Sequence, residues 1–180
     1  MVMRLQFCRG GWKVNQKEVW GKPGVRVEIS GRRNEMNYTL LADDDEDFGA
    51  LLQAAYEVAG MKDDLRCVRD GTTALRYLRG EGRYANRRAF PLPSLLLLDL
   101  NLPRPDGWEI LRWVKGQSRL TGIHVVILTG MEIGSASQRA LDMGADECWE
   151  KPFPFIGLIS MVEHFRDRWL IEEQPLLRAA

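Results

Sequence analysis

The fold class that this 180-residue sequence predicts is α/β, with a doubly wound five-stranded parallel sheet covered by helices on both faces. Three observations lead there. From about residue 38 to 169, strand signals and helix signals alternate five times, the order that crossover-connected parallel strands require. Two segments, Ser94–Leu98 and Ile123–Leu128, are almost continuously apolar, as strands buried on both faces are. Polar residues follow the apolar strands directly, and sheets of this kind bind ligands at their carboxyl ends.

Residues 1–36 precede the alternation. Gly10-Gly11, Gly21, Pro23-Gly24 and Gly31 punctuate short pieces such as Val25–Ile29, which alternates in strand fashion. This is an irregular N-terminal extension, hairpin-like or disordered. Tyr38–Ala42 is the first strand, and it ends in the acidic run Asp43–Asp47. Phe48, Leu51, Leu52, Ala55, Val58 and Ala59 then keep helical spacing until Gly60. Leu65–Arg69 is a weaker second strand, and Gly71–Arg79 a short helix opening onto the polar stretch Gly80–Pro93. Asp99 closes the third strand, Pro103 and Pro105 hold a loop, and Trp108, Leu111 and Val114 form one face of the third helix. A fourth strand at Ile123–Leu128, a helix over Ser135–Met143 and a short strand at Glu147–Glu150 follow. The last helix carries Leu158, Val162, Phe165 and Trp169 in register. The chain thus divides into an extension (1–36), a main domain (37–169) and a tail (170–180).

Composition narrows the function classes. Hydrophobic residues make up 45% and charged residues 28%, an ordinary globular balance. Cys8, Cys67 and Cys148 form no C-x-x-C pair, which argues against zinc, a dithiol motif or a disulfide scaffold and favours a reducing cytoplasm. Net charge is zero, but residues 1–36 carry eight Lys/Arg against three Asp/Glu, and residues 37–180 seventeen against twenty-two. A mildly acidic body without a dense basic run is a poor footprint for nucleic acid. No apolar run approaches the ~18–20 residues of a membrane span, and Arg4, Gln6 and Arg9 interrupt any signal-peptide core.

The strand ends deliver Asp43, Asp44, Asp45, Asp99, Thr129 and Lys151 to one edge. Singly, such residues are often helix caps. Together they suit a hard divalent cation and a phosphoryl group, with carboxylates for the metal and Lys and Thr for phosphoryl oxygens.

The pieces L-L-A-D-D-D, L-L-L-L-D-L-N-L-P-R-P-D-G, V-V-I-L-T-G and W-E-K-P-F, in that order, resemble the receiver domain of two-component response regulators over about residues 38–166. The insertion before the third strand, the L-N-L-P-R-P-D-G-W loop and the tail R-W-L-I-E-E-Q-P-L-L are similar to single-domain regulators associated with phytochrome-type histidine kinases. The resemblance implies a flavodoxin-like fold and a signalling protein, not an enzyme beyond self-phosphorylation and autodephosphorylation. It makes Asp99 the phosphoacceptor for a phosphoryl group from a sensor histidine kinase. Asp44 would bind Mg²⁺ directly and Asp43 mainly through water, with Asp99 and the backbone carbonyl of Asn101 as further ligands. Lys151 and Thr129 would hold the phosphoryl oxygens, and the Lys151–Pro152 bond is expected to be cis.

Two positions depart from the family pattern. Cys148 stands where an aromatic switch residue is usual, with Trp149 beside it on the opposite face of the strand. Asp45 follows the acidic pair and reads as a helix cap. His124 and His164 read as structural. A phosphatase of the haloacid dehalogenase type, with Asp43 as nucleophile, is the alternative, but it needs an acidic pair at a strand end after the lysine. Only Glu163, Asp167, Glu172 and Glu173 follow, in helix or tail. Eleven residues after Trp169 are too few for an output domain, so output is expected through a partner or a homodimer built on the last helix and tail. Trp169, Leu170, Ile171, Leu176 and Leu177 are the apolar residues expected beyond the sheet's cover.

Overall fold

The computed structural model describes residues 6–8, 11–13, 38–61, 65–130 and 134–170. In the extension, β1 (Gln6–Cys8) and β2 (Gly11–Lys13) pair antiparallel as a short hairpin, Phe7 opposite Trp12. Val25–Ile29 lies outside the described residues, as do 171–180. The extension and the main domain form separate compact units.

The main domain runs β3 (Thr39–Ala42), α1 (Glu46–Val58), β4 (Leu65–Val68), α2 (Gly71–Arg79), β5 (Leu95–Asp99), α3 (Gly107–Lys115), β6 (His124–Thr129), α4 (Gly134–Asp142), β7 (Glu147–Glu150) and α5 (Phe155–Phe165). The five strands are parallel in the order β4-β3-β5-β6-β7. This is the flavodoxin-like doubly wound sheet. Chain direction across the sheet reverses between β3 and β5, which opens a crevice at their carboxyl ends.

Strand alternation splits the core in two. Leu96, Leu98, Val125 and Ile127 pack with Ala74, Ile110, Leu111, Val114 and Ala140 of α2, α3 and α4. Leu95, Leu97, Val126 and Leu128 pack on the other face with Leu52, Tyr56, Leu158 and Val162 of α1 and α5. Because β5 is the middle strand, Leu95–Asp99 is buried throughout, which is why it reads as an unbroken apolar run.

An aspartate starts each of the first three helices. Asp45, Asp70 and Asp106 accept from the backbone N–H groups of Phe48, Thr73 and Glu109, each bond worth about 1 kcal/mol. Asp106 and Glu109 complete a capping box. Gly80 ends α2 at φ 75°, a left-handed conformation that glycine adopts freely.

Two details differ from expectation. The last helix does not continue to Trp169; α5 ends at Phe165 and a wider π turn spans Arg166–Leu170. That turn brings Leu170 into the core at 8% exposure and stacks Trp169 on His124, 5.2 Å between ring centres. Neither residue stands clear of the sheet. The cis bonds among the described residues are Arg104–Pro105 and Phe153–Pro154, not Lys151–Pro152. X-Pro isomers differ by only ~0.5–1 kcal/mol, so local packing decides which bond is cis.

Candidate functional site

Sheet register assembles the site. Ala42 pairs with Leu98, so the next residues, Asp43 and Asp99, stand side by side at the crevice. Asp99 pairs with Leu128 and Thr129 with Glu150, which leaves Lys151 as the first residue past the ladder. The Lys151 backbone N–H donates to the Thr129 carbonyl at 2.8 Å and fixes its exit. Asp43, Asp99 and Thr129 are buried, at 3%, 4% and 2% exposure, and Asp44 is exposed at the mouth.

Lys151 Nζ lies 2.9 Å from Asp43 Oδ2 and 3.2 Å from Asp99 Oδ2. Asp43 Oδ1 accepts from the Asp45 N–H at 3.0 Å, and Asp99 Oδ1 from the Asn101 N–H at 3.1 Å. Burial pulls the Lys151 ammonium down, but the hydrogen bond it donates to Asp43 and the charges of Asp43 and Asp99 outweigh burial and hold the group above its ordinary value. Burial pushes the Asp43 carboxyl up, more than the Lys151 and Asp45 hydrogen bonds lower it. Among the described residues, one ammonium, Lys151, faces the three carboxylates of Asp43, Asp44 and Asp99, which leaves the pocket short of positive charge. Asp43, Asp44 and Asp99 each have a carboxylate oxygen within 4.8 Å of the others, two of the three carboxylates being buried. An all-oxygen set of three carboxylates beside the single Lys151 ammonium fits a hard divalent cation.

Two supporting residues escaped the sequence reading. The Phe48 ring, buried in the first turn of α1, lies 4.7 Å from Lys151 Nζ. Its helical spacing marks it as core and carries no further signal. Gly107 opens α3 so close to the strand end that a Cβ there would stand 2.2 Å from the Asp99 carbonyl oxygen. Only glycine lets the loop after Asp99 close. Asp45 makes the expected cap.

The alternation at β7 resolves as expected. Cys148 packs toward α2, α3 and α4, and Trp149 toward α1 and α5. Thr129 shares the parity of Ile127, so the Trp149 ring lies across the sheet from it. The Trp149 indole N–H instead donates to Glu147 at 2.7 Å. His124 contacts Asp146 and His164 contacts Glu147, both as structural side chains.

The profile of the response regulator receiver domain matches residues 39–163. The chain belongs to that family. Among relatives of this receiver, a probable methanogenesis regulatory protein, FilR2 of Methanothrix harundinacea, is 36% identical over 134 residues, covering 73% of this chain and 82% of its own. Response regulator Rcp1 of Synechocystis is 37% identical over 101 residues, 56% of this chain and 67% of its own. The crystal structure of Mn²⁺-bound Rcp1 superposes with a TM-score of 0.67 at 30% identity, covering 77% of this chain and 97% of Rcp1. Phosphorylated RcpA, a cyanobacterial phytochrome response regulator, gives 0.68 at 31% identity with the same coverage. The receiver is thus a signalling protein of the group related to phytochrome regulators, and response regulators of this family are phosphorylated on aspartate. Nothing supports the phosphatase alternative: Glu163 lies exposed on α5 and Asp167 exposed in the π turn, neither at a strand end. No helix among the described residues is long and apolar enough to cross a membrane.

Proposed function

We propose that this receiver accepts a phosphoryl group on Asp99 from the phosphohistidine of a phytochrome-type sensor histidine kinase. The observation that carries the reading is the sharing of one ammonium, Lys151, between two buried carboxylates at the sheet's switch point. An Asp99 oxygen attacks phosphorus, the P–N bond breaks, the imidazole leaves, and an acyl phosphate remains on the carboxylate. Transfer moves negative charge onto phosphoryl oxygens, which Lys151 can pair with by releasing Asp99. The Thr129 hydroxyl, at the end of the neighbouring strand, is the donor to a phosphoryl oxygen of the product.

Asp43, Asp44 and Asp99, with the Asn101 backbone carbonyl, would hold Mg²⁺. When bound, the metal supplies charge compensation to the phosphoryl oxygens. Asp43 and Asp44 divide the work by depth: Asp43 is tied to Lys151 and the Asp45 N–H, while exposed Asp44 is free to turn toward the ion. The chain does no turnover of an external substrate, its own chemistry being self-phosphorylation and autodephosphorylation.

Kinase docking has a surface to use. Phe153, 95% exposed, and Ile156, 64% exposed, come two and five residues after Lys151. The relation to RcpA, a phytochrome response regulator, supports a phytochrome-type kinase as the partner. The setting is cytoplasmic, without nucleic acid or membrane, and output runs through a partner or a homodimer. With Trp169 and Leu170 folded onto the domain, the dimer contact rests on Ile171, Leu176 and Leu177. Transfer from an autophosphorylated phytochrome-type kinase tests the reading: label should pass to this protein within seconds and in preference to unrelated kinases. Equal or slower transfer from the phytochrome-type kinase would count against it.

A further inference from the structure

We propose that an arginine-rich surface on α2, the 3-10 turn after it (Gly82–Ala85) and α3 docks an acidic patch of a protein partner, apart from the phosphorylation pocket. Arg76, Arg79, Arg83, Arg88 and Arg112 are all exposed. Close contacts join α2 to the turn and to α3. The Arg79 guanidinium lies 5.0 Å from the ring centre of Trp113, the residue beside Arg112. Arg76 Nη2 approaches Gly82 so closely that a Cβ there would stand 2.8 Å from it. Arg83 lies 4.7 Å over the Tyr84 ring, which is 4.9 Å from Tyr77 of α2.

Among the described residues, Glu81, 3.8 Å from Arg79, is the one carboxylate within ion-pair distance of these five guanidinium groups. Such a concentration stands out in a region, residues 37–180, that carries seventeen basic against twenty-two acidic side chains. Like charges gathered without partners gain only when something anionic meets them.

The surface is also held ready. Arg87 ties the segment down by donating to the Tyr77 and Leu78 carbonyls at 2.9 and 2.8 Å, and Phe90 packs edge-on against Tyr84 at 5.1 Å. Arg79 lies over the Trp113 ring, and Arg83 lies over the Tyr84 ring and donates to its hydroxyl, contacts that restrict both side chains. Pre-ordered side chains lose less entropy on binding, and planar guanidinium forks match carboxylates in pairs.

Chemistry favours a protein over a nucleic acid. Trp113 and Tyr84 each have a face covered by an arginine and offer bases no open stacking platform there. A long polyanion would also meet the acidic run Asp43–Asp47 and the net negative charge of the domain, whereas a compact acidic patch need not.

The test uses the full chain and a short labelled polyglutamate peptide as probe. Amide shifts on titration should concentrate at residues 76–88 and 108–113. Affinity should fall about tenfold or more in Arg76→Gln/Arg79→Gln/Arg83→Gln/Arg112→Gln, because several charge-assisted contacts are lost at once. The pair Arg88→Glu/Arg112→Glu, whose side chains stack on no ring among the described residues, guards against a folding artefact and should weaken binding as well. Both variants should keep wild-type phosphorylation by acetyl phosphate. Shifts centred elsewhere, or unchanged affinity in the second variant, would overturn the proposal. A short DNA duplex binding these residues more tightly than the peptide would overturn the choice of partner.

Discussion

Lys151 Nζ stands 3.2 Å from Asp99 Oδ2 across 52 positions of sequence. Three consecutive strands of the sheet set this distance, since Asp99 ends β5 and Lys151 is the first residue after β7, with β6 between them. Its second contact, to Asp43, closes a triangle of one cation and two carboxylates. Strand ends within one hydrogen-bonded sheet position the backbones of all three, and the flexible Lys151 stem leaves its ammonium able to change partners.

Asp44 and Lys151 should separate metal binding from anion binding. Asp44→Ala should lose Mg²⁺ affinity about tenfold or more, because a carboxylate is the hard-metal ligand. Lys151→Ala should keep the metal and lose affinity for beryllofluoride, because an ammonium pairs with the anion. Tryptophan fluorescence titration reads both. Equal loss of Mg²⁺ binding in the two variants would contradict this division.

Phe48 should act as a positioning residue for Lys151. Phe48→Leu keeps an apolar side chain but removes the ring face, a loss of about 0.5–2 kcal/mol for a cation held against it. Phosphorylation by acetyl phosphate should slow several-fold with Mg²⁺ affinity intact, and Phe48→Tyr should restore the rate. A leucine variant that loses metal affinity in proportion to rate would assign the ring a packing role only.

Asp146 should make stability pH-dependent. Burial raises its carboxyl, but hydrogen bonds from Lys115 and the Val125 N–H, at 2.8 Å each, and from His124 outweigh burial and hold it below the ordinary range. A carboxylate with a depressed folded pKa contributes stability above its unfolded value, about 3.9, and loses it as pH falls through the folded value. Asp146→Asn should cost about 1–3 kcal/mol at neutral pH. Urea melts of the two proteins should converge below about pH 4; a gap that is constant with pH would contradict the linkage.

The tail should carry the dimer contact. Wild type with beryllofluoride should sediment as a dimer, and Leu176→Ala/Leu177→Ala should shift it toward monomer. A wild type that remains monomeric with and without beryllofluoride would exclude the contact.

What was legible in the sequence followed from strong local signals. Leu95–Leu98 and Val125–Leu128 are central strands with no solvent face, so their lack of alternation gave away the parallel sheet. Asp43, Asp99, Thr129 and Lys151 could be placed because register turns strand ends into neighbours. Contacts set by tertiary packing were not legible. Phe48 looks like any apolar helix residue, and Asp146 in G-A-D looks like a turn residue, yet it ties Lys115 to the start of β6. The π turn at Arg166–Leu170 keeps helical apolar spacing through Trp169, so no pattern marks where the helix widens.

Intact-mass measurement of wild type and Asp99→Asn after incubation with acetyl phosphate and Mg²⁺ tests the central assignment most directly. Wild type should gain the mass of one phosphoryl group, labile to hydroxylamine as an acyl phosphate is, and Asp99→Asn should gain none. An undiminished, hydroxylamine-labile adduct in Asp99→Asn would contradict Asp99 as the phosphoacceptor.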